Sequence, residues 1–177
     1  MSEMTSGLET ALAGASSPSW PRRVRAGHDL ASFADVPEAA EALVGLLLDV
    51  GDTVVIRRTA EALARVGTVA AVRLIALAVA EADDHRADWI QTGVHDALVG
   101  TDGLPDIATV CGQIAGDPEA AVRRGAAEVS AWADDTRSHR VGQGPDLPAA
   151  SPTAPVGPGD APRSCLRQEE GAGRGGG

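Results

Sequence analysis

Apolar residues recur at helical spacing through most of residues 18–137, and no stretch sustains the period-two alternation of a half-buried strand. "PRRVRAGHDLASFA" predicts a first helix over residues 21–34, with Val24, Gly27 and Ala31 as its apolar stripe. "PEAAEALVGLLLD" starts a second at Pro37, with Glu38 in the first turn and Leu43, Leu46 and Leu47 on one side. After a turn at "VGDT", the stretch "VVIRRTAEALARVG" places Ile56, Ala60, Leu63 and Val66 along a third helix. Gly67 is expected to end it and Thr68 to cap the next, "VAAVRLIALAVAEADD". That fourth helix is apolar nearly all round, which predicts neighbours on several sides. "ADWIQTGVHDALVG" and "LPDIATVCGQIAG" follow. The last helix is "DPEAAVRRGAAEVSAWADD", with Asp117 as cap, Pro118 at the first helical position and Glu119 complementing the dipole. The body is expected to be all-α.

Three regions emerge. Residues 1–17 are expected to be flexible or partly helical, and residues 18–137 form the helical domain. From residue 138 the chain turns into a Gly/Pro-rich tail, with 9 Gly and 6 Pro among the last 37 residues. Too few bulky apolar side chains remain there to offset the chain entropy of folding, so disorder is expected.

Charge narrows the partners. The 177 residues carry a formal net charge of −10, and all 15 basic residues are Arg. Nucleic-acid binding normally needs a basic surface to neutralise phosphates, so no nucleic-acid partner is expected. An acidic surface favours a basic protein partner. The N-terminal 17 residues have no basic segment and no long apolar run, so no secretory signal is expected there. The most apolar stretch, residues 69–82, is short and contains Arg73, so no membrane span is expected and the chain reads as cytoplasmic. Cys111 and Cys165 lack metal-ligand spacing, and Cys111 sits among apolar residues as a small core residue.

A repeat underlies the helices. "RRTAEALARVG" from residue 57 and "RRGAAEVSAWA" from residue 123 share an Arg pair, an Ala, a Glu and the apolar positions that follow. Arg57 and Arg123 are 66 residues apart, two steps of 33. "HDAL" in the fifth helix and "HDLA" in the first fill the slot of "AEAL", so Asp29, Glu61, Asp96 and Glu128 occupy one repeat position. A helix-pair period in the thirties is the signature of an α-solenoid. "DTVVIRRTAEALARVG" and "DPEAAVRRGAAEVSAWA" resemble HEAT repeats, above all the short bacterial type. The resemblance covers residues 18–135, about three and a half repeats against the minimum of about three. It implies a right-handed superhelix of stacked antiparallel helix pairs, armadillo-like in build, whose second helices line a concave face that binds partners. It also implies an ion-pair ladder, which would join Asp52 with Arg57 and Asp117 with Arg123.

The doublets His28-Asp29 and His95-Asp96 are the metal candidates. Deoxyhypusine hydroxylases, which are HEAT-like enzymes, resemble this layout, with His-Glu pairs at equivalent repeat positions around two irons. Here only two of the four slots hold His, and both hold Asp where Glu is expected. Adjacent helix residues point about 100° apart, so a doublet does not turn both side chains to one ion. The doublets read as echoes of the repeat, with no metal, no cofactor and no catalytic residue expected. Among the Trp residues, Trp132 is expected in the core and Trp20 as a staple before the first helix. Trp89 is the candidate partner-binding residue, since Trp is enriched at interface hot spots.

The expectation is a non-catalytic interaction module, an adaptor, regulator or scaffold. A narrower form is an immunity or antitoxin protein covering a basic toxin. The competing class is a metal-dependent hydroxylase- or lyase-like HEAT enzyme using the His-Asp doublets.

Overall fold

The computed structural model describes residues 2–99 and 106–142, with side-chain detail for 6–99, 106–136 and 138. Every regular element among the described residues is helical. In order they are α1 (Ser2–Ala15), α2 (Trp20–Leu30), a 3₁₀ turn (Ala31–Phe33), α3 (Pro37–Leu47), α4 (Thr53–Val66), α5 (Val69–Glu81), α6 (Asp84–Val99), α7 (Ile107–Ile114) and α8 (Ala120–Gly142). No described helix is long and apolar enough to cross a membrane.

Local chemistry sets the boundaries. Pro37 opens α3, where its missing N–H costs no bond, and Pro21 does the same for α2. Gly67 ends α4 in the left-handed region at φ 59°, donating its N–H to the Leu63 carbonyl at 2.9 Å. Thr68 then caps α5, its Oγ1 accepting from Ala71 N at 3.2 Å.

Residues 1–17, expected flexible or partly helical, hold the helix α1, which packs on α2 and α3. Two boundaries differ from expectation. The last helix begins at Ala120, three residues after Asp117, because the Asp117 carboxylate takes the Glu119 N–H at 2.9 Å and makes a separate turn. That helix runs on to Gly142, so residues 138–142, expected in the tail, are helical. The expected disorder of residues 143–177 lies outside the described residues.

Helices α2, α4 and α6 pack side by side in that order, and α1, α3, α5 and α7 form a second row. The Leu30, Leu43, Ile56, Leu63, Ile75, Ile90, Val122 and Val129 side chains form one fully buried core across both rows. Burial of each such side chain is worth about 1.5–3 kcal/mol. The all-round apolarity of α5 is explained by its five neighbours, α3, α4, α6, α7 and α8. Among these α8 makes the most extensive contact. It packs on α5 and α7 far more than on α6.

Two glycines make these approaches possible. A Cβ on Gly93 would lie 2.2 Å from the Arg57 carbonyl oxygen, and one on Gly125 would lie 1.8 Å from that of Ala76. Both clashes are with backbone, so a side chain at either position forces two helices apart. Gly27 is held to the same rule by Thr59, whose Oγ1 would meet an added Cβ at 2.4 Å.

Gly93→Ala and Gly125→Ala are therefore each expected to destabilise the fold by about 1–3 kcal/mol or more. Gly45 in α3 and Gly112 in α7 have open space where a Cβ would go. Their replacement by Ala is expected to stabilise by roughly 0.5–1 kcal/mol, since glycine weakens a helix interior. Urea denaturation of the four single variants measures both signs.

Candidate functional site

Three arginines reach from one helix to acids on another. Arg23 of α2 donates from Nε to Asp49 Oδ2 and from Nη2 to Asp52 Oδ2, both at 2.8 Å, and from Nη1 to the Ser17 carbonyl at 2.9 Å. Asp49 in turn accepts the Gly51 and Asp52 N–H groups at 2.8 Å, so one carboxylate shapes the α3–α4 turn and ties it to α2. Arg57 of α4 meets Asp96 of α6 at 2.5 Å. Arg73 of α5 meets Asp117 at 2.8 Å and Glu119 at 2.9 Å, holding α5 to the turn before α8.

Arginines do join neighbouring helices, but the two pairs implied by the resemblance do not form. Asp52 pairs with Arg23 instead of Arg57, which meets Asp96. Asp117 pairs with Arg73 instead of Arg123, whose guanidinium donates to the Asp117 and Pro118 backbone carbonyls at 2.6 and 3.0 Å. Sequence reasoning missed Asp49, Arg23 and Arg73 altogether. The one available signal was that Arg73 sits in an otherwise apolar helix, where a charge needs a partner.

These contacts shift titrations. The hydrogen bond from Arg57 holds the Asp96 carboxyl below its usual range despite burial. Hydrogen bonds from Arg73 and from the Glu119 backbone do the same for Asp117. At Glu61 burial pushes the carboxyl up, but the bonds from Arg58 and Arg65, each 2.7 Å, more than offset it and hold the group low.

The metal candidates separate. His28 and Asp29 stand exposed on α2, with His28 Nδ1 3.5 Å from Asp29 Oδ1 and Arg25 Nε 3.5 Å from Asp29 Oδ2. On α6, His95 is half-buried, its Nε2 enclosed without a hydrogen-bond partner among the described residues, while Asp96 turns to Arg57. Both helices pack on α4. Among the described residues no three His, Cys, Asp or Glu side chains gather in a way that could hold a metal ion. Cys111 is buried in α7, and burial, with Asp106 and Asp134 adding to it, pushes its thiol up to about 11.

Trp89 is half-buried against the core, and His85 meets its ring edge-on at 6.4 Å. Trp132 also packs against the core. Trp20 stands out, with 47% of its surface exposed.

Two grooves flank α1 and α2 on different sides. Between α1 and α3, Glu38, Glu41 and Asp49 surround Leu12, Ala42 and Leu46 in a groove of about 440 Å³. Between α2 and α4, Val24, His28, Arg58, Glu61, Ala62 and Arg65 line a smaller one of about 290 Å³. Comparison of the chain with protein-family models, curated proteins and solved structures returns no match.

Two outcomes are expected. Arg23→Ala should cost about 2 kcal/mol, since it leaves two half-buried carboxylates without their donor. Arg23→Lys should recover only part, because one ammonium cannot match the guanidinium fork. Thermal denaturation of the two variants measures this. Asp96 and Asp117 have folded pKa values below their unfolded ones, so their contribution is complete above about pH 4. It is lost as pH falls through the depressed folded values. The urea midpoint should therefore drop on acidification, and less steeply in an Arg57→Gln, Arg73→Gln variant.

Proposed function

We propose that the chain is a non-catalytic protein–protein interaction module built as a HEAT-like solenoid and that its partner is a basic protein. The side-by-side order of α2, α4 and α6, and of α1, α3, α5 and α7, supports the solenoid reading. The packing of α8 on both α5 and α7 fits a helix that covers one end of such a stack.

The observation that carries the partner reading is the groove between α1 and α3. Glu38 and Glu41 are exposed along it, and half-buried Leu12, Ala15 and Ala42 make up the apolar part of its lining. Acidic side chains beside an apolar patch suit a basic segment with apolar side chains, the acids steering and the patch adding buried area. By the HEAT resemblance α3 is a second helix of its pair, the kind that lines the concave face. Binding of a basic toxin by an immunity protein is one form of this chemistry.

Affinity capture with the full chain and with a Glu38→Lys, Glu41→Lys variant tests it, using a lysate of the source organism. A stoichiometric protein partner with a basic surface, retained by the native chain and lost by the variant at unchanged helix content, is the expected result. The same proteins captured equally by both baits would refute it.

A further inference from the structure

Gly45 is exposed in the middle of α3, and a Cβ there would meet nothing within 4 Å. Glycine weakens a helix interior, and at this position it brings no packing gain inside the chain. Gly93 and Gly125 differ, since each lets a second helix come down on a backbone carbonyl. Gly112 of α7 is equally open, but no acid lies within a turn of it. Gly45 instead lines the α1–α3 groove on the same face of α3 as two glutamates.

That face runs Glu38, Glu41, Ala42, Gly45, Leu46, the i, i+3, i+4, i+7, i+8 spacing of one helix side, about 12 Å from first to last. Leu12 and Ala15 of α1 border it. Asp49, at the far end, is already held by Arg23 and by the Gly51 and Asp52 N–H groups. The acids left free are Glu38 and Glu41, one turn apart, exposed and without an ion-pair partner among the described residues.

We infer that the partner's docking segment is an amphipathic helix lying along α3, with Arg or Lys one turn apart over Glu38 and Glu41 and a small side chain over Gly45. The inference rests on the basic-partner reading of this groove and gives the segment its form. Hydrogen bonding selects that form. A segment with one side buried must satisfy its own backbone, and a helix does so internally. An extended segment takes its bonds from a free sheet edge, and among the described residues there is no strand. A polyproline segment docks on aromatic rings, and none lines the groove. A second helix presents side chains with the period of the α3 face, so cations meet both glutamates in register. With no side chain at Gly45, the two backbones approach as they do at Gly93 and Gly125.

The test uses the full chain and three short fluorescein-labelled peptides, read by fluorescence anisotropy and circular dichroism. The first places Leu and Lys at helical spacing with Ala between them. The second has the same composition with Leu at alternate positions, and the third is the helical peptide with Glu in place of Lys. The expected result is saturable binding of the first, with a gain of helix, in excess of both others. Gly45→Leu, and the double change Glu38→Gln, Glu41→Gln, should each weaken it roughly tenfold at unchanged helix content of the protein. Gly45→Leu alters no charge and places its Cβ in open space, so its effect separates docking in this groove from general attraction to an acidic chain. Equal binding by the native and Gly45→Leu chains would overturn the helix, as would equal binding of the alternating peptide. If the Glu38→Gln, Glu41→Gln chain still loses binding in either case, the basic-partner reading stands without it. Preference for the Glu peptide would overturn both.

Discussion

Two helix backbones can meet only where no side chain stands between them, and this fold relies on that at two places. Gly93 lets α6 settle against the Arg57 carbonyl of α4, and Gly125 lets α8 settle against the Ala76 carbonyl of α5. These are the two most extensive helix contacts in the molecule. The second has the larger consequence. It brings α8 across α5, so that α5 has a neighbour on nearly every side and its Ala-, Val-, Leu- and Ile-rich surface is buried. Small residues on α5, among them Ala71, Ala76 and Ala78, keep that surface flat enough for close packing.

Ion pairs act on top of this packing. Arg23, Arg57 and Arg73 each span a gap between helices, and two of the carboxylates they reach, Asp49 and Asp117, also accept from backbone N–H groups. Arg suits the task because its fork can hold two acids at once, as at Asp49 with Asp52 and at Asp117 with Glu119. Such half-buried pairs add modest energy. Their greater effect is on register, since a helix shifted by one turn would leave a charge enclosed and unpaired.

Much of the helical layout was legible from local chemistry. Pro21, Pro37, Gly67 and Thr68 act within one turn of themselves, so their effect needs no knowledge of the rest of the chain. The uniform apolarity of α5 announced its central place for the same reason. What failed was long-range. The Asp52–Arg57 and Asp117–Arg123 pairs were what the HEAT resemblance implied, yet an arginine chooses among all acids within reach in space. Arg23 takes Asp52, Arg73 takes Asp117 and Arg57 turns to Asp96, each across a gap between helices. Gly93 and Gly125 lie inside predicted helices, and nothing near them in the chain tells which backbone each will meet. The site was legible only in part: the charge balance suggested a basic partner, but the meeting of Val24 and His28 with Arg58, Glu61 and Arg65 along one groove depends on how α2 lies against α4. Trp89 stood as the aromatic candidate, while Trp20, the first residue of α2, is the more exposed.

The surfaces left open follow from the same packing. Covering α5 with α8 buries that stretch of the second row, while the grooves described above lie around α1, α2, α3 and α4. Native-state amide hydrogen exchange tests this arrangement most directly. The account predicts that the amides of α5, with those of α8 around Gly125, exchange slowest and only through global unfolding, while α1 exchanges through local opening. Exchange of α5 as fast as that of α1 would contradict it, because a helix wrapped on all sides cannot open before the helix at the edge.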